Sequence, residues 1–526
     1  MNADPTLHGP HGWLTLTERA SPDHYRRATL MFSDPPPLPL PPLDAVKHPP
    51  VPPAAPGNRP YPWENLSFEG GGAKGYAYIG AIQALEKAGI YPGQIRRVAG
   101  TSVGSILAMF AALGATSAEM AELVPTDLQL LVMDGGGGRV GSMMRTAITR
   151  GMHPGQRSYQ FLGKVLEDFT GSADVTFRQL LERSGRELCV PVTNVTRMMT
   201  EYCHPKTTPN MPVRVAVRMS MSLPVLLQPV LLQKTAATED VALAEVYVDG
   251  GLLCNNPTHA FDGWWLSMDP EDSFLRRVLD LDDASAYYSR SVRFSPENAR
   301  TLSFTLFASD EADITRAWVR PGGGPPPRPH TPAKIHYEEV ERNTSMQRQF
   351  PKPLQRLLAA LKDLDLNEDG LVSEAELVRA VESGEVTSVE LLTVFGTTSV
   401  PEIFSTLNRN ADGYIDFSEV VAFIETLGGD LTTQLVGFPA RPPRTMVGFA
   451  ANLFDAVTRD LSRASFSPSD HFRTVPICTD YVTTRSFDLE PPDFEFLVES
   501  ARRSTRAFLL EYDEQRNQSV DADQQP

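Results

Sequence analysis

Apolar positions along this chain follow two periods in turn. A short apolar run ends at Phe68, and after a glycine-rich turn Tyr78, Ile79, Ile82, Leu85 and Ile90 recur at helical spacing. Arg97-Val98-Ala99 then reads as a strand, and Val103, Ile106, Leu107, Phe110 and Leu113 as a second helix. Strand–helix–strand–helix texture predicts an α/β fold, a parallel sheet with helices packed on it. Further on, Tyr159–Phe169 reads as a helix, Leu188–Val195 as a buried strand and Glu245–Val248 as an alternating strand. Proline breaks the pattern twice, from Pro35 to Pro60 and from Pro321 to Pro332. Helical spacing resumes at Leu354, Leu357, Leu358, Leu361 and Leu364, and again from about Pro492 to Leu510. The longest apolar run, Ile106 to Ala115, is too short to span a bilayer.

Two glycine-rich turns carry the chemistry of the first half. Gly100-Thr101-Ser102-Val103-Gly104 places a serine between two glycines where a strand passes into a helix. Such a turn exposes the hydroxyl over a helix N-terminus and reads as a nucleophile elbow, although three fixed positions also recur by chance in ordinary turns. Gly70-Gly71-Gly72-Ala73-Lys74-Gly75 opens the preceding helix, and its bare backbone can aim N–H groups at an oxyanion. The same run fits a dinucleotide-binding turn, but no carboxylate follows roughly 20 residues later, where Gln94-Ile95-Arg96-Arg97 stands. A phosphate-binding loop is set aside because Gly75, not Ser or Thr, follows Lys74. A serine needs a base. The candidate is Asp249, which ends an alternating run and opens the Gly250-Gly251 turn. That strand end is where α/β enzymes place reactive groups, while Asp-Gly is also a common turn pair.

The second half holds a different signature. Asp365, Asn367, Asp369, Ser373 and Glu376 stand at positions 1, 3, 5, 9 and 12 of a loop with Gly370 at position 6 and the Leu371 carbonyl at position 7. This is the oxygen spacing of an EF-hand calcium loop. A second copy follows with Asn408, Asn410, Asp412, Tyr414, Asp416 and Glu419 in the corresponding places. Asn408 in place of an aspartate, with Arg409 beside it, predicts weaker binding by the second loop. Charge agrees. The chain of 526 residues carries a net −17, and residues 361–430, with fifteen acidic and three basic residues, supply −12 of it. Local acidity of this kind excludes nucleic acid as the expected partner.

Taken in order, Gly70-Gly71-Gly72-x-Lys74-Gly75, Gly100-x-Ser102-x-Gly104 and Asp249-Gly250-Gly251 with Asn255-Asn256-Pro257 resemble the motifs of the patatin-like phospholipase family. The stretches Val192–Val195, Thr208–Val213 and Ala216–Pro224 are similar to that family as well. The resemblance implies a three-layer patatin-like sandwich around a mostly parallel sheet. It also implies a Ser-Asp dyad, with Ser102 as nucleophile, Asp249 as base, and the amides of Gly70, Gly71 and Gly72 holding the oxyanion. Lys74 stands where arginine is common in the family, and Glu69 where aspartate is. Strand-like text at 472–489 and the final helix resemble the family's closing elements, which makes the calcium module an insertion.

The expected organisation is therefore a Pro-rich, disordered segment over 1–62, a catalytic region over 63–320 closed by 444–511, an all-α EF-hand pair over 350–430, and a disordered tail over 512–526. The expected activity is hydrolysis of fatty acyl esters, phospholipids above all, with Ca²⁺ bound in the insert but outside the chemical step. A triacylglycerol lipase or acyltransferase is the alternative within enzymes. A calcium-responsive lipid-binding or scaffold protein with a vestigial hydrolase is the alternative outside them. Four scattered cysteines and the lack of a signal-peptide pattern predict a cytoplasmic protein that meets a membrane or droplet surface peripherally. The Pro-rich segment reads as a spacer, with an SH3-like partner as the lesser reading. Gly135–Gly138, near Met143, Met144 and Met152, reads as an exposed loop, with a lid over the site as the alternative.

Overall fold

The computed structural model describes residues 30–31, 38–54, 60–125, 132–134, 151–233, 244–277, 281–311, 313–345, 371–384, 387–426, 445–486 and 488–523. The glycine run at 135–138, Met143, Met144, and the ligand candidates Asp365, Asn367 and Asp369 lie outside these residues. The chain divides into two compact units. The first comprises Met1–Ser309, Asp313–Ala333 and Pro443–Pro526; the second comprises Asp310–Ala312 and Lys334–Pro442. Among the described residues, no helix is long and apolar enough to cross a membrane.

Among the described residues, the first unit is built on a nine-stranded sheet. Its strands are β1 (Leu30–Met31), β2 (Asn65–Phe68), β3 (Arg97–Gly100), β5 (Glu187–Asn194), β6 (Met199–Cys203), β8 (Val230–Gln233), β9 (Glu245–Val248), β10 (Thr301–Ala308) and β13 (Thr474–Asp480). The order is β1-β8-β9-β5-β3-β2-β10-β13, with β6 paired to β5 off this row. The run from β5 through β3, β2 and β10 to β13 is parallel; β9 joins β5 and β8 antiparallel. Parallel strands are covered on both faces, so they read as unbroken apolar runs. In β10, Leu302, Phe304, Leu306 and Phe307 are all buried. Short strands β4 (Gly151–His153) and β7 (Val225–Leu227) form a separate parallel pair.

Helices α1 (Tyr78–Lys87) and α2 (Val103–Leu113) follow β2 and β3, where the apolar spacing predicts them. Helix α3 spans Gln156–Thr170, α4 Phe177–Ser184 and α5 Val213–Ser220. The closing strand β13 lies against β10, and the last helix packs on both β13 and α1.

Both ends of the chain differ from expectation. Residues 38–54 are not a disordered spacer. They lie along the domain as a strap whose carbonyls are taken by distant side chains. Gln179 donates to Leu38 O at 2.7 Å, Arg183 to Pro41 O, and buried Arg186 to Val51 O. The strap also donates, from His48 N to Asp168 O and from Val51 N to Leu113 O. Apart from the turn at Leu43–Ala45 the strap makes little use of its own carbonyls, since its prolines bring no N–H, and the carbonyls stay open to such donors. At the other end, residues 512–523 continue the final helix, Pro491–Asp523, where a disordered tail is expected. Tyr61 donates to Asp513 at 2.9 Å and its ring stacks on Trp63, which anchors this extension.

Among its described residues the second unit is helical apart from one short ladder, so it is not purely α. Strands β11 (Val372–Ser373) and β12 (Tyr414–Ile415) pair antiparallel, with Val372 opposite Ile415. These are the eighth positions of the two repeats. Helices α6 (Glu374–Ser383) and α7 (Phe417–Thr426) leave the two loops. Val372, Leu377, Ile403, Leu407, Ile415 and Phe423 form part of a shared core.

Candidate active site

Ser102 sits between β3 and α2 with φ 53° and ψ −128°. This is the left-handed half of backbone space, sparsely used by any residue but glycine. The turn is closed by contact. A Cβ on Gly100 would meet the Gly104 carbonyl, and one on Gly104 the Phe68 carbonyl, so strand and helix approach only because both are glycine. The Ser102 N–H donates to Ser220 Oγ at 3.0 Å, and Ser220 in turn donates to Pro191 O at 2.8 Å. The Ser102 amide is thus held by Ser220 at the end of α5 rather than turned into the site.

Ser102 Oγ donates to Asp249 Oδ2 at 2.7 Å, across 147 residues of chain. Asp249 caps the turn Gly250–Leu252 and is 2 % exposed. Its other oxygen accepts the Gly251 N–H at 2.7 Å, and its own N–H donates to Ser222 O. Burial pushes its carboxyl up to about 7, against the pull of the Gly251 and Ser102 hydrogen bonds. A carboxylate so raised is a base of the strength a hydroxyl proton transfer near neutral pH asks for.

The glycine-rich turn divides its amides. Gly70 N–H is committed to Asn255 O at 3.0 Å, so it is not available as the resemblance implies. No hydrogen-bond partner within the described chain takes the N–H of Gly71 or Gly72. Gly72 has φ 55°, and a Cβ there would strike the Thr484 carbonyl. Ala73 N–H donates to that same carbonyl. Glu69 anchors the turn: its carboxylate accepts from Asn255 Nδ2 and from Leu306 N, each at 2.9 Å. Burial, then the charge of Asp313, push Glu69 up to about 8, while the Leu306 N–H holds it back. Lys74 is buried and reaches Leu306 O at 3.1 Å. Gly75 lies against Val103, and Gly250 against the Pro191 carbonyl.

Ser102 and Asp249 border an open cleft with about 840 Å³ of empty space. Ile79, Val103, Ile106, Leu107, Phe161 and Leu227 are among its walls. A hydrocarbon chain suits such walls; a charged or sugar substrate would leave its polar groups unpaired there. Arg218, buried on α5, donates to Ser222 Oγ at 2.6 Å and to three backbone carbonyls, fixing the segment that accepts the Asp249 amide. Ser220, Ser222, Arg218 and Asn255 lie within stretches quoted above for their resemblance, but nothing in their spacing gives them these partners.

In the second unit, Asp412 N donates to Asn410 Oδ1 and Tyr414 N to Asp412 Oδ1, both at 2.9 Å, so alternate side chains turn into the loop. Asn408 Oδ1 is buried without a partner. Glu419 accepts from Arg409 N, Asn410 N and Asp416 N, and Glu376 from Ser373 N and Oγ. Among the described residues, no three His, Cys, Asp or Glu side chains converge as a metal site.

A serine at a strained strand-to-helix turn, bonded to a buried aspartate at the C-terminal edge of a mostly parallel sheet, defines an α/β protein of the serine-elbow class. Residues 66–262 match the family described as Patatin-like phospholipase. It is 30 % identical over 200 residues to Uncharacterized protein R571 of Acanthamoeba polyphaga mimivirus, covering 38 % of this chain and 61 % of the relative. It is 24 % identical over 204 residues to Probable lipid hydrolase 463L of Invertebrate iridescent virus 6, covering 38 % and 63 %. The chain thus spans less than two thirds of the length of these curated relatives. Among solved structures it is similar to VipD from Legionella pneumophila, at TM-score 0.37 and 14 % identity, covering 88 % of this chain and 70 % of that one.

Proposed function

We propose that the chain is a lipid acyl hydrolase that works through Ser102 and Asp249. The 2.7 Å hydrogen bond between them, at the rim of an apolar cleft, carries this reading. Asp249 takes the hydroxyl proton as Ser102 Oγ bonds to the ester carbonyl carbon. Negative charge moves to the carbonyl oxygen, where the Gly71 and Gly72 N–H groups stabilise it. Collapse breaks the ester bond, and Asp249 returns the proton to the departing alcohol. Water, deprotonated by the same carboxylate, then releases the fatty acid. Apolar walls select the acyl chain, and phospholipid esters are the expected substrates.

The second unit is proposed to bind calcium. The buried, unpaired Asn408 Oδ1, the inward turn of Asn410 and Asp412, and the facing eighth positions Val372 and Ile415 support this. The donors are oxygens, as a hard cation requires. Asn408, Asn410, Asp412, the Tyr414 carbonyl, Asp416 and Glu419 would hold one ion, and Asp365, Asn367, Asp369, the Leu371 carbonyl, Ser373 and Glu376 another. Glu376 and Glu419 now cap their helices, and binding an ion draws them from that role. No step of the hydrolysis runs through the ion; its effect is on the order of the insert.

The test is fatty acid release from mixed phospholipid vesicles by wild type and Ser102→Ala, with calcium and with chelator. Wild type should release fatty acid and the variant should fall by at least about 10³-fold. Equal inertness of both under every condition would leave the hydrolase reading without support.

A further inference from the structure

Helix α8 spans Met446–Ser465 in the first unit, between the insert and β13. A helix of that length in a folded domain ordinarily buries one stripe. None of its described side chains is buried. Phe449 is 52 % exposed, Leu453 is 56 % exposed, and Ala456 is exposed as well. Spacings of four and three place all three within about 60° of one another around the helix.

The position of α8 gives that bare face a meaning. The helix packs against the turn Gly250–Leu252, which directly follows Asp249. Its Asp455 pairs with Arg485 at 3.1 Å. The neighbouring Thr484 holds the Ala73 amide and touches Gly72. So α8 is tied to both loops that carry the site, one holding the base and the other the oxyanion amides.

We propose that α8 seats the rim of the active site on a lipid bilayer, with Phe449 and Leu453 entering the acyl region. This deepens the lipid-hydrolase reading and rests on it. Two observations select a bilayer as the occupant. First, the helix that carries the exposed apolar face packs against the turn that follows Asp249, a residue of a cleft with hydrocarbon-like walls, and an acyl chain that enters the cleft must come from somewhere equally apolar. Second, α8 itself offers no net charge to draw anionic headgroups, because most of the chain's −17 lies in residues 361–430 of the other unit. Along α8, Asp455 and Asp460 balance Arg459 and Arg463. An apolar anchor is what remains. Binding should therefore resist salt and depend little on the anionic lipid fraction.

The full-length chain and its Phe449→Ser/Leu453→Ser variant are floated with phosphatidylcholine vesicles, and hydrolysis of a soluble short-chain ester is measured in the same preparations. The variant should lose vesicle binding by at least about tenfold, with fatty acid release from vesicles falling in step, while soluble-ester hydrolysis stays within about twofold. Unchanged flotation of the variant overturns the proposal. So does unchanged flotation together with a loss of self-association, which would assign the face to a second copy. Failure of wild type on both esters counts against the hydrolase reading, and flotation still decides the role of α8. As a second probe, Phe449→Trp should gain fluorescence that brominated phosphatidylcholine quenches; no quenching under conditions where the chain floats also overturns it.

Discussion

Asp249 carries two opposed requirements. As the proposed base it must be ionised, yet it is buried, and burial lifts its carboxyl to about 7 from a value of roughly 4 in the unfolded chain. Turnover should therefore rise about tenfold per pH unit below 7 and level off above it. A pH profile of kcat/KM on a soluble ester checks this, and an apparent pKa near 4 would remove Asp249 as the titrating base. Stability should run the other way. The folded chain keeps a proton from about pH 4 to 7 that the unfolded chain has released, so stability falls as pH rises through that window. Asp249→Asn removes the cost of the buried charge. It should raise Tm by about 2–6 °C at pH 8 while abolishing turnover, as scanning calorimetry and an ester assay would show together. Ser102 and Asp249 were legible because each stands in a glycine-marked turn at a strand end. The commitment of the Gly70 amide to Asn255 was not legible, nor was the grip of Ser220 on the Ser102 amide, because both depend on which distant backbone arrives alongside.

Strands and helices with strong periodicity, from β2 to α2 and again at α3 and β5, fall where apolar spacing puts them. The strap over 38–54 does not. Its proline content says nothing of attachment, which is supplied by Gln179, Arg183 and Arg186 more than a hundred residues later. Arg186 is fully buried and donates to Val51, Ile95 and Pro92 carbonyls, and burial draws its pKa down to about 10. Arg186→Ala strands those carbonyls. It should cost about 2–4 kcal/mol, read from urea midpoints, and open the strap to protease. A loss under about 0.5 kcal/mol would mean that the strap is held elsewhere. The final helix runs on past Leu510 for a similar reason. Polar residues 512–523 lack a stripe of their own, and Tyr61 and Trp63 from the far end of the chain supply contacts that no local pattern announces.

Charge and chain order act on the molecule as a whole. Most of the net negative charge lies in residues 361–430, within the second unit, so calcium should act there first. Calorimetry should resolve two transitions. Millimolar calcium should move one upward by several degrees, in line with about 2.7 kcal/mol at a hundredfold excess over Kd, and leave the other in place. A single transition insensitive to calcium and chelator would count against ion binding by the insert. The sheet is finished only after the insert, because β13 and the last helix come from residues beyond 443, and β13 takes an edge position beside β10. An opening of the chain within the insert therefore severs no strand of the first unit. Residues 1–345 and 443–526, produced as separate polypeptides, should copurify and regain ester hydrolysis that neither has alone. The chain would then work as a split enzyme, rejoined by one edge strand and the helix that follows it.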